Sequence, residues 1–234
     1  MKYGFFIGCY IPSDNFGIDM VSSCVSSVRA HHPDSPIYVI DSDSNYLDIN
    51  EYITEVEHCG GAVDFAKNKN YSTGMIWHVF RNYPHFDYYF FLHDSHEVKE
   101  NLEECLDFDV ATISYFNSHN GLAREHPGRE YGFSPNGTYP RESLDWCEKM
   151  LRENTPYRLP DIFTGVGYSV FFCKRHVLEK LNSNGVSKIL PNNKTQDQSM
   201  ERVWGIALES EGFDLKKKTF KYNKKVRKKF RGRK

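Results

Sequence analysis

The sequence lacks several features that would assign it to other classes of protein. No apolar run approaches the roughly 20 residues needed to cross a bilayer as a helix, so we expect no transmembrane segment. The cysteines show no C-x-x-C spacing, which argues against a zinc ribbon or a dithiol redox site. No internal repeat is present, which excludes solenoids and propellers. With 39% hydrophobic and 15% aromatic residues, the chain is not disordered in composition.

The apolar segment from Tyr3 to Ile11 is not followed by the small-residue cleavage site of a signal peptide. It runs instead into Pro12-Ser13-Asp14, and we interpret it as a buried first strand. The six cysteines are scattered through apolar or helical patterns, as expected of small core residues in a reducing compartment. Together these features predict a cytoplasmic protein.

Acidic residues are absent from the end of the chain. Residues 216–234 contain twelve Lys or Arg and no Asp or Glu. Residues 1–215 therefore contain the other 18 basic residues and all 31 acidic ones, which gives them a formal charge of −13. We predict one acidic domain at 1–215, followed by a basic tail at 216–234. Because the apolar residues of the tail are few and show no regular spacing, we expect it to bury little surface.

Apolar runs alternate with helical periodicity through the first half of the chain. Short apolar or aromatic runs predict strands at 3–11, 36–40, 62–66, 87–92 and 110–116. Apolar residues at helical spacing predict helices around 18–28, 47–57 and 75–83, the last with Ser72 or Thr73 as its N-cap. This alternation predicts an α/β domain with a mostly parallel central sheet and helices on both faces.

The pattern breaks between 117 and 160, where Gly, Pro, Asn and Arg accumulate and only a short helix near 143–151 is predicted. Long irregular insertions within a compact domain usually have a function. The segment 163–172 that follows contains Gly165 and Gly167, and we predict a glycine-hinged turn that leads into a strand.

Two helices complete the predicted domain, at about 174–181 and 196–211. For the last helix, Thr195 and Gln198 have the spacing of a capping box, and Gly212 stands where a C-terminal glycine is expected.

One acidic cluster, Asp41-Ser42-Asp43, follows the second predicted strand. In open parallel sheets, ligands bind at the carboxyl ends of the strands. An aspartate there can accept hydrogen bonds from ribose hydroxyls or from a uracil N–H. The alternative is a solvated turn, because Asp and Ser favour turns in any case.

A second cluster, Asp94-Ser95-His96, follows the most apolar predicted strand. Asp and His two positions apart in an extended segment can both reach one metal ion, and this donor pair suits Mn²⁺ better than Mg²⁺. Such a metal would bridge a diphosphate and stabilise a leaving nucleotide. The alternative is a polar strand end with a hydrogen-bonded histidine.

The order of the motifs resembles that of glycosyltransferases with the GT-A fold, within the nucleotide-diphospho-sugar transferase superfamily. The motifs V-I-D-S-D-S-N, F-F-L-H-D-S-H, F-T-G-V-G-Y and T-Q-D-Q-S-M-E-R-V-W-G follow one another as they do there, between about Tyr3 and Gly212. The resemblance implies a single Rossmann-like domain at 1–215 that binds a nucleotide sugar. The donor would be UDP- or GDP-linked, and the acceptor could be a glycan, a protein or a lipid.

The resemblance also implies roles for particular residues on the donor side. Asp41 would contact the nucleoside and Asp43 the ribose. Asp94 and His96 would bind the diphosphate and a divalent metal, Mn²⁺ before Mg²⁺. Gly165 would allow the backbone to approach the sugar.

On the acceptor side, the resemblance implies that Asp197 is the catalytic base or a carboxylate that binds sugar hydroxyls. The alternative is a structural role, because an acidic residue in the first turn of a helix is stabilised by the helix dipole. That setting favours the ionised carboxylate, which suits proton acceptance as well.

The sequence departs from the GT-A pattern in two respects. Its motif is D-x-H instead of the commoner D-x-D, and no histidine follows His176 to serve as a late metal ligand. A catalytically inactive homologue that still binds nucleotide sugars is therefore an alternative. In a metal-independent enzyme, the basic tail could help to neutralise the diphosphate.

Two other functions have to be weighed against glycosyl transfer. Sugar nucleotidyltransferases share the architecture but need a glycine- and arginine-rich loop after the first strand, and segment 11–17 has no basic residue. A phosphate- or nucleic-acid-binding protein could act through the basic tail. Because the −13 domain would repel nucleic acid, we do not expect a nucleic-acid partner.

Overall fold

A computed structural model of the chain describes residues 1–11, 16–45, 48–117, 141–215 and 226–228. The strands within them are β1 (Tyr3–Cys9), β2 (Ile37–Asp41), β3 (Ala62–Phe65), β4 (Tyr88–His93), β5 (His96–Val98), β6 (Val110–Thr112), β7 (Tyr115–Asn117), β8 (Thr164–Val166), β9 (Phe171–Lys174) and β10 (Val226–Lys228). The helices are α1 (Phe16–His31), α2 (Ile49–His58), α3 (Tyr71–Asn82), α4 (Arg141–Asn154), α5 (Arg175–Ser183) and α6 (Lys194–Ser210). None of these helices is both long and apolar enough to span a membrane.

Six strands form the central sheet, in the order β3-β2-β1-β4-β9-β6. The first four run parallel to one another, whereas β9 is antiparallel to both β4 and β6. The prediction of a mostly parallel α/β sheet is confirmed. Because parallel strands end at the same edge, the carboxyl ends of β1, β2, β3 and β4 lie side by side.

Both faces of the sheet are covered, as predicted. Successive side chains of a strand point to opposite faces, and the aromatic pairs follow this alternation. Phe5 stacks on Phe90 at a ring distance of 4.6 Å and contacts His32, which directly follows α1. Phe6 lies 5.2 Å from the ring of Tyr83, which directly follows α3. Helices α1 and α3 therefore pack on opposite faces of the same strand.

The predicted strand at 110–116 is wrong as a single element. Its first part is β6 in the central sheet, and its second part is β7, which pairs with β8 in a separate two-stranded sheet. The carbonyl of Ser114, between the two strands, accepts the N–H of Gly167 at 2.8 Å. This bond, with the β7–β8 pairing, draws the chain out of the central sheet.

Two predicted helix starts are also wrong. Helix α3 begins at Tyr71, after Asn70, instead of after Ser72 or Thr73. Helix α6 is capped by Asn193, whose side chain accepts the N–H of Gln196 at 3.0 Å. Thr195 and Gln198 therefore lie inside the helix. The extended backbone at Asn193 places its side-chain oxygen, Oδ1, over the open N–H groups of the first turn, as an N-cap requires.

The end of α6 agrees with the prediction. Gly212 adopts a φ of +83°, and its N–H donates to the carbonyl of Glu209 at 3.0 Å. Only glycine enters this left-handed backbone region without steric cost, so the prediction of a C-terminal glycine is confirmed.

Part of the basic tail packs onto the domain. Val226–Lys228 form β10, which pairs antiparallel with β5, and Val226 lies opposite Val98 in the register. The side chain of Val226 is fully buried in the core. The expectation that the tail buries little is therefore wrong for this strand, because a single valine and its backbone pairing fix it to β5.

We predict that this strand stabilises the domain. A chain that ends at Leu215 should unfold at a lower urea concentration and temperature than the full chain, because burial of a valine side chain contributes about 1.5–3 kcal/mol and the ladder bonds are lost as well. Urea and thermal unfolding followed by circular dichroism measure the difference.

A chain that ends at Lys228 is the matched control, because it removes basic residues but keeps β10. It should unfold close to the full chain. If the chains that end at 215 and 228 are equally stable, the strand does not contribute to folding.

Candidate functional site

The strand order reverses between β1 and β4, since the chain passes from β1 to β2 and β3 on one side and returns to β4 on the other. Such a reversal opens a crevice at the carboxyl ends of the strands, where α/β proteins bind ligands. The end of β1 holds both acidic clusters at this crevice. The carbonyl of Gly8 accepts the N–H of Asp94 at 3.0 Å, and that of Cys9 accepts the N–H of Ser42 at 2.9 Å.

Asp41 stabilises the turn that follows β2. Its carboxyl is buried, and Oδ1 accepts the N–H of Ser44 at 2.8 Å. The Ser44 hydroxyl in turn accepts the N–H of Ile11 at 2.8 Å, which ties this turn to the end of β1. Burial raises the pKa of Asp41, and hydrogen bonds from Ser44 and the Tyr52 hydroxyl oppose that shift. Asp41 thus lies in a turn, but its carboxyl is buried and not solvated as the structural alternative assumed. Its contact with a nucleoside stays a prediction.

Asp43 lies at the rim of the crevice. It adopts a φ of 68°, its side chain is 49% exposed, and Oδ2 lies 3.7 Å from Nζ of Lys69. The amide of Asn68 donates to the Ser42 hydroxyl at 3.1 Å, so the loops after β2 and β3 are joined beside it. An exposed carboxylate at this rim is accessible to a ligand hydroxyl, as the ribose prediction requires.

The D-x-H motif forms a tight turn between β4 and β5. Asp94 is partly exposed, and its charge adds to the effect of burial in raising the pKa of the Cys24 thiol. His96 is only 2% exposed, and its Nδ1 accepts the backbone N–H of His93 at 3.1 Å. His96 is thus hydrogen-bonded at the strand end, as in the structural alternative to metal binding.

The described residues provide only part of a metal site. Among them, no three His, Cys, Asp or Glu side chains come together in a way that could hold a metal ion. Asp94 and His96 offer two ligands, and because Nδ1 of His96 already accepts a hydrogen bond, a metal would have to bind Nε2. Two protein ligands can hold a divalent metal together with substrate phosphates. Metal binding by Asp94 and His96 therefore stays a prediction, in which substrate phosphates would supply the further ligands.

His93, the last residue of β4, was not predicted to belong to the site. Its Nε2 lies 2.9 Å from the carbonyl oxygen of Tyr168 and 3.0 Å from the hydroxyl of Ser72. Because a carbonyl only accepts, we assign the ring proton to Nε2. The sequence does show His93 as a polar residue at the end of an apolar strand, which could have indicated a role in the site. No local pattern indicates its contact with Tyr168.

Gly165 allows a close approach within the chain itself. It lies in β8 opposite Phe116, and a Cβ at this position would collide with the Phe116 ring. A Cβ at Gly205 of α6 would likewise collide with the carbonyl of Thr164. The two glycines let β8 pack directly between β7 and α6, and the predicted approach of Gly165 to a sugar stays a prediction.

Asp197 carries an unsatisfied carboxylate oxygen. The residue is 6% exposed, Oδ2 lies 2.6 Å from Nζ of Lys194, and Oδ1 is buried with no hydrogen-bond partner. Burial raises the pKa of Asp197, and the charge of Lys194 opposes the shift. A buried acceptor without a donor is uncommon in proteins and calls for an explanation, such as a ligand that supplies the donor.

Glu201 lies one turn after Asp197 on the same face of α6. Its Oε1 accepts the N–H of Tyr168 at 2.9 Å. Burial raises the pKa of Glu201 to about 7, against the opposing effects of Arg202 and the Tyr168 N–H. Sequence reasoning missed this residue, although the spacing of four from Asp197 predicts a shared helix face.

Comparison with known proteins bears on the fold. No model of a protein family matches the sequence, and no curated protein matches it. The structure of a CMP:2-keto-3-deoxy-manno-octonic acid synthetase complexed with CTP is similar, with a TM-score of 0.52 and 15% identity over 94% of this chain and 89% of the synthetase. The chain has a nucleotide-diphospho-sugar transferase-like fold. This confirms the fold implied by the resemblance in sequence.

Two glycosyltransferases also match the chain, at lower scores. The WbbM bifunctional glycosyltransferase has a TM-score of 0.45 and 14% identity over 86% of this chain and 37% of its own. Staphylococcus aureus TarS 1–349 in complex with UDP has a TM-score of 0.44 and 10% identity over 86% of this chain and 54% of its own.

We predict that Glu201 makes stability depend on pH. Its pKa of about 7 in the folded chain exceeds the ordinary value of 4.5, so the folded chain binds more protons between these pH values. The contribution of Glu201 is full below about pH 4.5 and is lost as the pH rises through about 7. Glu201→Gln should therefore raise the free energy of unfolding by about 1–3 kcal/mol at pH 8 and by little at pH 4.5.

Urea unfolding at the two pH values measures this difference. Glu209→Gln removes an exposed carboxylate of the same helix and is the control. An equal effect of Glu201→Gln at both pH values would contradict the prediction.

Proposed function

We propose that the chain is a glycosyltransferase that transfers a sugar from a nucleotide-diphosphate sugar to an acceptor hydroxyl. The observation that carries the proposal is the unsatisfied Oδ1 of Asp197, a buried acceptor on the helix that packs against the turn beside the D-x-H motif. The fold supports a nucleotide as ligand, because the similar synthetase was solved with CTP.

The donor would lie across the carboxyl ends of β1, β2 and β4. In the proposal, Asp43 is exposed at the rim and binds the ribose. Asp41 supports the turn that presents Asp43 to the nucleoside. Asp94 faces the diphosphate. A divalent metal held by Asp94 and His96, Mn²⁺ or Mg²⁺, would supply Lewis-acid stabilisation of the leaving diphosphate.

Asp197 would act on the acceptor. In the proposed step, the acceptor oxygen forms a bond to the anomeric carbon as the bond from that carbon to the phosphate oxygen breaks. The hydroxyl proton passes to Asp197, and the nucleoside diphosphate leaves. The raised pKa of Asp197 makes its carboxylate a better proton acceptor than an exposed aspartate, and the charge of Lys194 at 2.6 Å opposes that rise.

Nucleotidyl transfer to a sugar is the second candidate. The similar synthetase is covered over 89% of its length, more than either glycosyltransferase. Segment 11–17, which follows β1, has no Lys or Arg to bind a triphosphate, and this favours glycosyl transfer. Assays with CTP plus free sugars and with nucleotide sugars separate the two activities.

We predict that metal and nucleotide bind together. UDP or GDP with Mn²⁺ should raise the unfolding temperature, because a ligand that binds only the folded state stabilises it. Mn²⁺ alone should have little effect, since Asp94 and His96 are only two ligands. Thermal unfolding with each ligand separately and combined measures this.

Asp94→Asn should abolish the added effect of Mn²⁺ and leave the fold intact. Asp87→Asn, at the start of β4 near the opposite edge of the sheet, is the matched control. If Mn²⁺ stabilises the wild-type chain and Asp94→Asn equally, the metal assignment is wrong. If no nucleotide stabilises either, the donor site itself is wrong.

We also predict that Asp197 contributes to turnover and not to donor binding. Asp197→Asn keeps the shape of the side chain and removes the proton acceptor, so the transfer rate should fall about 10²–10⁴-fold with unchanged nucleotide affinity. Initial rates and nucleotide titrations measure the two quantities.

Glu51→Gln is the control, because Glu51 is the first-turn acidic residue of α2 and has the same favourable position relative to a helix dipole. It should retain the transfer rate. A normal transfer rate in Asp197→Asn would leave Asp197 with a structural role at the start of α6 only.

A further inference from the structure

Two consecutive non-glycine residues adopt left-handed backbone in the turn between β8 and β9. Tyr168 has φ 65° and ψ 10°, and Ser169 has φ 53°. Such a conformation is strained in a non-glycine residue and persists only where its surroundings hold it. The sequence placed the hinge at Gly165 and Gly167, but neither has a positive φ. The strained residues are therefore Tyr168 and Ser169, and both make hydrogen bonds to other elements of the fold.

Three hydrogen bonds hold this strained turn. The N–H of Tyr168 donates to Oε1 of Glu201 at 2.9 Å, and its carbonyl accepts Nε2–H of His93 at 2.9 Å. The hydroxyl of Ser169 donates to the carbonyl of Asp197 at 3.2 Å. The turn is thus fixed to α6 at two points and to the end of β4 at one.

These contacts link the two halves of the candidate site. His93 directly precedes Asp94, and its backbone N–H donates to Nδ1 of His96. The ring of His96 lies edge-on to that of Tyr168, with 5.7 Å between centroids. A shift of the strained turn would therefore change the position of the D-x-H turn relative to Asp197.

We propose that Glu201 is a positioning residue. By holding Tyr168, it fixes the turn that carries Asp94 and His96 relative to Asp197, so that the diphosphate and the acceptor are presented to each other at a set distance. The inference rests on the proposed glycosyl transfer. Misplacement of reacting groups by about 1 Å can reduce a rate by about 10²-fold.

Two substitutions of Glu201 separate positioning from charge. Glu201→Ala removes the acceptor for the Tyr168 N–H, whereas Glu201→Gln retains an acceptor oxygen without the charge. In Glu201→Ala, kcat for sugar transfer should fall about 10- to 100-fold with little change in KM for the donor. Glu201→Gln should restore most of kcat. All rates are measured well below the unfolding temperature of each variant.

Glu209→Ala is the matched control on the same helix. Oε2 of Glu209 accepts the N–H of Thr164 at 3.0 Å, a carboxylate–backbone bond of the same type to the strand before the turn. Its loss should lower stability without lowering kcat. If Glu209→Ala and Glu201→Ala lose kcat equally, the effect is one of general stability and the proposal is overturned.

A second readout does not depend on activity. In ¹⁵N-histidine-labelled protein, the ring signal of His93, assigned with His93→Gln, should shift in Glu201→Ala and stay near its wild-type position in Glu201→Gln and Glu209→Ala. An unchanged signal in Glu201→Ala overturns the proposal, and so does a shifted signal with normal kcat. If the wild-type chain transfers no sugar, glycosyl transfer fails as the function, and the histidine signal alone decides whether Glu201 positions this turn.

Discussion

The site depends on the position of β1 between β2 and β4. Its backbone is hydrogen-bonded to β2 and β4, and all three strands are parallel. Its last carbonyls, at Gly8 and Cys9, accept hydrogen bonds from the N–H groups of Asp94 and Ser42 in the two acidic turns. Because the chain leaves β1 toward β2 and returns on the other side at β4, the crevice opens where these carbonyls lie. The acidic turns are held there by main-chain hydrogen bonds to β1.

The site places acidic groups on both sides of this crevice in a domain with a large negative charge. Asp43 and Asp94 lie on the side of the parallel strands, while Asp197 and Glu201 lie on α6. Two of these carboxylates have a lysine beside them, since Lys69 lies 3.7 Å from Asp43 and Lys194 lies 2.6 Å from Asp197.

Local sequence patterns predicted much of this arrangement and missed what depends on distant contacts. Apolar runs located the parallel strands, and polar residues at their ends located both acidic turns. The left-handed hinge was assigned to glycine by local preference, whereas tertiary hydrogen bonds impose it on Tyr168 and Ser169. Strand β10 was missed because its partner lies far away in sequence, and Glu201 because only the fold brings Tyr168 to it.

The pairing of β10 with β5 has a practical consequence for work on this protein. Antiparallel to β5, β10 runs toward His96, so the chain leaves the described structure at the same edge as the crevice. Met1, which is 65% exposed, precedes β1 at the opposite edge of the sheet. An affinity tag or fusion partner joined before Met1 therefore enters away from the crevice, whereas one joined directly after Lys228 enters close to the D-x-H turn.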